Sequence, residues 1–184
     1  MDWLDIRPTP LAGLRVVQRR RRDDARGHFS RFYCADEMAA AGCAFSVAQL
    51  NHTGTAVRGS VRGLHFQHPP HAEDKLVSCL RGEVFDVAVD LRRGSPTFLR
   101  WHAQILSAEN LTSLLVPQGF AHGFQTLRDD CEMVYLHSAP YAANAEGGLH
   151  ANDPRLAIAW PLPVSGLSPR DAGHPCLAFD FTGI

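Results

Sequence analysis

Long hydrophobic runs are absent from this chain of 184 residues. Nowhere do about eighteen apolar residues follow one another, so no helix is expected to cross a membrane. The opening stretch MDWLDIRPTPLAGLRVV sets acids and prolines where a secretory leader needs a continuous apolar segment, and a soluble, cytoplasmic protein is expected. An excess of either charge is missing too: 18 Lys and Arg stand against 19 Asp and Glu, a formal net charge of -1. No global field draws nucleic acid or an anionic membrane, and any anionic ligand has to be held locally. The one basic cluster, Arg19 to Arg22, is followed at once by Asp23 and Asp24 and reads as a solvated face or edge strand. Cysteines are few and scattered. Cys34, Cys43, Cys79, Cys131 and Cys176 are odd in number and form no C-x-x-C pair, which argues against a disulfide framework or zinc ribbon and fits a reducing compartment.

What is present reads mostly as strand. With 45% hydrophobic residues and no repeat or linker, residues 1–184 are expected to share one core as a single domain. In GEVFDVAVDLR, Phe85, Val87, Val89 and Leu91 alternate with Val84, Asp86, Ala88 and Asp90, the period of a strand with one apolar and one mixed face. Similar runs recur at FSVAQLN, LTSLLVP and CEMVYLHS, separated by Gly, Pro, Asn and Asp. Many short strands with turn signals predict an all-β antiparallel sandwich or barrel. Helix is scarce. Ala35 to Gly42 has the length of two turns ending at glycine, and Ser168 reads as an N-cap with Pro169 at the first helical position. The segment WPLPVSGLSPRD reads as a covering tail.

The stretch RGLHFQHPPHAEDK, Arg62 to Lys75, gathers three histidines and a lysine around a double proline. A metal site would want convergent imidazoles, and His65, His68, His71 with Glu73 supply the residue types. The spacing argues otherwise: Pro69 and Pro70 hold an extended turn between His68 and His71, and neither H-x-H nor H-E-x-x-H occurs. No metal is expected. Acid–base chemistry asks for less: a base, an acid on the far side of a substrate carbon, and a cation near the oxygen that gains charge. His65, Tyr135 and Lys75 offer those types, with Tyr135 on the strand face of Met133 and His137. Taken singly, each has an ordinary reading as an exposed histidine, a sheet tyrosine or a surface lysine.

The blocks RGLHFQ, KLVSCLRGEVFDVAVDLRRGSPTF, LVPQGFAHGF, VYLHSAPY, NDPRLAIAWP and LSPRD together resemble, in order and spacing, the dTDP-4-dehydrorhamnose 3,5-epimerase family over nearly the whole chain. The resemblance implies a cupin-like jelly roll with few short helices, free of cofactors and active as a homodimer. It also implies the substrate, a nucleotide-diphosphate-linked 4-keto-6-deoxy hexose whose C3, C5 or both are inverted. A keto group at C4 acidifies the hydrogens on C3 and C5, so a base can leave an enolate and a proton returned to the other face inverts the carbon. By motif, His65 is implied as the base, Asp171 as its orienting partner, Lys75 as the cation at O4 and Tyr135 as the acid. Arg62 and Arg26 match positions that bind the diphosphate, where a planar guanidinium suits two oxygens at once. Phe29, Gln49, Asn51 and Tyr141 match the nucleotide or sugar pocket, and Glu146 and Arg170 fall in the same substrate-binding set. His122 matches a pocket histidine, although its place between Phe120 and Phe124 suits a structural role equally well.

Arg62 and His65, three residues apart, would face opposite sides of a regular strand. Both reach one pocket only if the chain bulges or bends, and Gly63 is the natural place. Departures from the family pattern fall on the base-binding side. Arg31 replaces an acid, Leu50 an aspartate between Gln49 and Asn51, and His150-Ala151 an aromatic-containing segment, so a nucleotide other than the thymidine one stays open. A metal-dependent cupin isomerase or oxygenase and a non-catalytic nucleotide-sugar binding module are the alternatives.

Overall fold

The computed structural model describes residues 2–184. Two antiparallel sheets make up its body. One holds, in spatial order, β1 (Leu4–Pro8), β2 (Arg15–Arg19), β10 (Thr112–Val116), β7 (Lys75–Arg81), β12 (Cys131–His137) and β5 (Gln49–Thr55). The other holds β13 (Glu146–Gly148), β6 (Val61–Gln67), β11 (Phe120–Thr126), β8 (Glu83–Asp90) and β9 (Trp101–Ser107). From β5 onward the chain crosses between the sheets at almost every step, which makes the sandwich a jelly roll. A separate exposed hairpin, β3 (Arg21–Asp24) and β4 (Gly27–Ser30), and two short helices, α1 (Ala35–Ala40) and α2 (Pro169–Ala172), complete the described elements.

The alternation in β8 sorts the core into layers. Val84 and Ala88 turn inward between the sheets and pack with Val77, Leu114, Phe124 and Met133. Phe85, Val87, Val89 and Leu91 turn outward, where Leu149, Leu156, Trp160 and Phe181 of the tail cover them. The wholly apolar face is thus the outer one, and the face carrying Asp86 lines the interior. On the far side of the other sheet, Leu76, Leu115, Val134 and Leu136 are roofed by Met38 of α1. Each such fully buried side chain contributes about 1.5–3 kcal/mol.

Two expectations need adjustment. Arg19 is not part of a solvated cluster: it is 3% exposed, its guanidinium lies 3.9 Å from the Phe32 ring centre, and its Nε donates to the Leu111 carbonyl at 3.2 Å. Burial pushes its pKa down to about 10. The run FSVAQLN becomes strand only from Gln49, because Phe45 is drawn off by the Tyr33 hydroxyl, which donates to its carbonyl at 2.6 Å.

The pairing of β6 with β11 is irregular. His65 sits opposite His122 and Arg62 opposite Phe124, so β6 carries one residue more than its partner over this span. That bulge falls at Gly63 and Leu64. Gly63 has φ +115°, and a Cβ there would stand 2.7 Å from both the Gly123 Cα and the His122 carbonyl oxygen, so only glycine fits.

Candidate active site

The bulge brings Arg62 and His65 to the same side of β6. They open into one pocket with His122 and Phe124 of β11, facing Lys75 of β7, Tyr135 and His137 of β12, and Asn51 and Thr53 of β5, while Arg170 of α2 closes one end. His65 and Tyr135 therefore line one cavity from opposite sheets.

A hydrogen-bonded dyad is built from the two ends of the chain. His65 Nε2 lies 2.8 Å from Asp171 Oδ1, and Asp171 Oδ2 accepts the Gly63 N–H at 3.2 Å. The Asp171 N–H in turn donates to Ser168 Oγ at 3.1 Å, the N-cap of α2, so the cap that starts the helix also aims the carboxylate. Burial pushes the His65 pKa below its ordinary value; Asp171 opposes that shift, and the Arg170 and Lys75 charges add to it. Burial raises the Asp171 carboxyl, but the His65 hydrogen bond and charge, with the Gly63 N–H and Ser168, bring it below the usual range. The result is a neutral imidazole beside an ionised carboxylate. With Nε2–H donated to Asp171, the lone pair resides on Nδ1.

Across the cavity the charges are paired in series. Lys75 Nζ stands 3.2 Å from Glu73 Oε1 and donates to the His65 carbonyl at 3.4 Å. Glu73 Oε2 is 2.9 Å from His137 Nδ1, and His137 Nε2 is 3.3 Å from Asn51 Nδ2. On the floor, His122 Nε2 lies 3.0 Å from both oxygens of the fully buried Asp86, whose carboxyl burial raises while His122 pulls it back. The Tyr135 ring sits edge-on to His122 at 6.1 Å and stacked on His137 at 6.0 Å. Loss of water drives its phenol pKa well above the ordinary value, with the Asp86 charge adding, so the hydroxyl keeps its proton. A neutral base, an ammonium and a protonated phenol around one space suit removal and return of a proton on carbon.

A rim of hydrogen bonds joins further residues to this pocket. Gln49 Oε1 accepts the Tyr141 N–H at 3.0 Å, the Tyr141 hydroxyl donates to Glu146 Oε2 at 2.9 Å, and Arg170 reaches Glu146 Oε1 at 3.0 Å. Arg26 and Phe29 are not brought in. Arg26 sits at the tip of the hairpin paired with Asp24, and Phe29 is 57% exposed beside Trp3. Nor do the departures line this cavity. Arg31 pairs with Glu37 at 2.7 Å, Leu50 points to the face of β5 opposite Asn51, and the buried Ala151 accepts the Trp160 indole at 2.8 Å. His68 and His71 are exposed, and the described residues converge as a potential metal group only at His65, Asp171 and His174.

Sequence reading left out Asp86, His137, Thr53 and Phe124. Their signal was period two: Asp86 shares a face with Val84 and Ala88, and Thr53, Phe124 and His137 each lie two residues from a residue already singled out.

Fold and site together define a jelly-roll isomerase that works by proton transfer. A model of the family described as dTDP-4-dehydrorhamnose 3,5-epimerase matches residues 8–178, and the chain belongs to that family. A dTDP-4-dehydrorhamnose 3,5-epimerase of Sinorhizobium fredii is 40% identical over 178 residues, covering 96% of this chain and 91% of its own length. The crystal structure of the Bacillus anthracis dTDP-4-dehydrorhamnose 3,5-epimerase with TDP and PPi bound superposes with a TM-score of 0.92 at 39% identity, over 95% of this chain and 99% of that one. A double mutant of ChmJ, a 3'-monoepimerase from Streptomyces bikiniensis, in complex with dTDP, gives 0.85 at 35% identity over 92% and 85%. The histidine and the tyrosine changed in that mutant are as far apart in sequence as His65 and Tyr135. These likenesses do not favour a metal-dependent cupin or a non-catalytic module.

Proposed function

We propose that the protein epimerises a dTDP-linked 4-keto-6-deoxy hexose at C3, or at C3 and C5, with His65 as base and Tyr135 as acid. The observation that carries this reading is their placement on facing sheets of one pocket, one neutral and one protonated. His65 takes the proton from the carbon beside the ketone, and the C–H electrons move onto O4. Asp171 stabilises the imidazolium that forms, and Lys75 the oxyanion. Tyr135 then gives its proton to the opposite face, the electrons return from O4, and the carbon is inverted; exchange with solvent resets base and acid. Arg62 and Arg170, which both line the pocket, suit the diphosphate. The thymidine nucleotide is favoured by the relatives solved with TDP or dTDP bound.

The stranded Arg26 and Phe29 support a homodimer in which the hairpin of one subunit reaches the pocket of the other, beside the free edge of β5. Light scattering at micromolar concentration checks this: a fully active monomer overturns it. Free thiols at Cys34, Cys43, Cys79, Cys131 and Cys176 support a cytoplasmic location. The function itself is tested by incubation with dTDP-4-keto-6-deoxyglucose in D2O, following C3 and C5 by NMR. Deuterium at C3 alone marks a single epimerase and deuterium at both marks a double one. No exchange at either carbon refutes the proposal.

A further inference from the structure

We propose that His65, Asp171 and His174 form a site for a borderline divalent cation, Zn2+ first, at which the metal binds and silences the base. The three ligand atoms all lie within 4.8 Å of one another. His174 Nε2 is 3.8 Å from the Asp171 oxygen that holds His65 at 2.8 Å. That is too long for a hydrogen bond, and His174 Nε2 is buried without any hydrogen-bond partner. An imidazole nitrogen shut away from water and aimed at a carboxylate it does not bond is a group in want of a ligand.

The dimensions fit. Nitrogen and oxygen ligands at about 2.0–2.1 Å from a tetrahedral zinc stand about 3.3 Å apart, a value that the two distances to Asp171 bracket. The rings of His65 and His174 meet edge to face, 73° apart. The His174 ring occupies space that only a glycine leaves open: a Cβ on Gly148 would stand 2.3 Å from it. The outer support is in place as well, since the second Asp171 oxygen accepts the Gly63 N–H. Two imidazoles and one carboxylate suit Zn2+ in preference to Mg2+ or Ca2+. Arg170 is the competitor, with its guanidinium 3.4 Å from His65 Nε2. Its side chain is 54% exposed and tethered to Glu146, so it has solvent to withdraw into.

The consequence for the base follows from proton placement. Zinc on Nε2 moves the ring proton to Nδ1, so no lone pair is left to take a proton from carbon; nothing is oxidised or reduced. The effect on turnover rests on His65 being the base. The binding does not.

Calorimetric titration of the substrate-free protein with Zn2+, and the visible absorption of Co2+ in its place, read the site directly. One metal per chain is expected. Both His174→Phe, which keeps the ring volume, and His174→Ala, which leaves room, should weaken binding about tenfold or more. Zn2+ at a concentration that saturates the wild type should lower its turnover about a hundredfold or more relative to the metal-free assay, and the Zn2+ concentration that gives half inhibition should rise about tenfold or more in His174→Phe. Absence of binding, or equal binding by both variants, overturns the site. Metal binding that depends on His174 in a protein that epimerises nothing upholds the site and refutes the proposed reaction instead.

Discussion

Replacing Tyr135 by Phe separates the acid from the base. The ring keeps its contacts with His122 and His137, and only the hydroxyl is lost. Tyr135 is only partly buried and its side chain lines the cavity, so removal of the hydroxyl should change folding stability by about 1 kcal/mol or less. The chemical effect is larger: a positioned proton donor is worth about 10²–10⁴-fold, and inversion should slow by that factor. His65 stands on the other sheet and is untouched. It can still remove the substrate proton and return deuterium to the original face. In D2O the variant should therefore wash label into the sugar, seen by NMR, while yielding little inverted product. A misfolded or poorly binding variant would lose both signals, so retained exchange with lost inversion is diagnostic. Inversion at the wild-type rate would refute the assignment and make Tyr135 an ordinary sheet tyrosine.

His65→Ala should lose exchange and inversion together, by about 10²–10⁴-fold, with its circular dichroism unchanged, whereas His68→Ala and EDTA should leave turnover intact; loss on chelation would restore a metal mechanism. The active His65 is neutral and its pKa is depressed, so kcat/KM should stay level down to its ordinary value of about 6.5 and fall only at lower pH. Asp171→Asn removes the influences that raise that pKa, so the acidic limb should move further down while the plateau drops by up to about 10⁴-fold; an unmoved limb refutes the dyad. Gly63→Ala combines about 1–3 kcal/mol for its positive φ with about 1–3 kcal/mol for overlap with Gly123, and should lower the urea midpoint; a wild-type midpoint refutes the bulge as a fixed constraint.

Patterns of period two carried most of what could be read from sequence. They placed β8, β10 and β12, and set Asp86 on the mixed face of β8 with Val84, Ala88 and Asp90. The need for a bulge at Gly63 was legible because Arg62 and His65 could not otherwise share a side. Pairings across the sandwich were not legible. Glu73 answers to His137, 64 residues away, and His122 to Asp86, 36 away, and no local rule reports such partners. Arg31 and Leu50 read as altered nucleotide contacts because they depart from the family pattern on its base-binding side. A salt bridge to Glu37 claims the first, and strand alternation turns the second outward. His174 gave no signal, since its burial depends on the absence of a side chain at Gly148.

The dyad joins residues 106 positions apart, and both sheets are complete by Gly148, well before α2. In time, this means that His65 leaves the ribosome long before the carboxylate it bonds. At about 5–20 residues per second, the interval is about 5–20 s. Throughout it the growing chain holds His65 beside an open end, with neither Arg170 nor Asp171 yet made. A chain cut short after β13 has every strand but lacks both the tail that covers the outer face of β8 and the carboxylate proposed to stabilise the imidazolium, so the same late segment completes the core and the dyad.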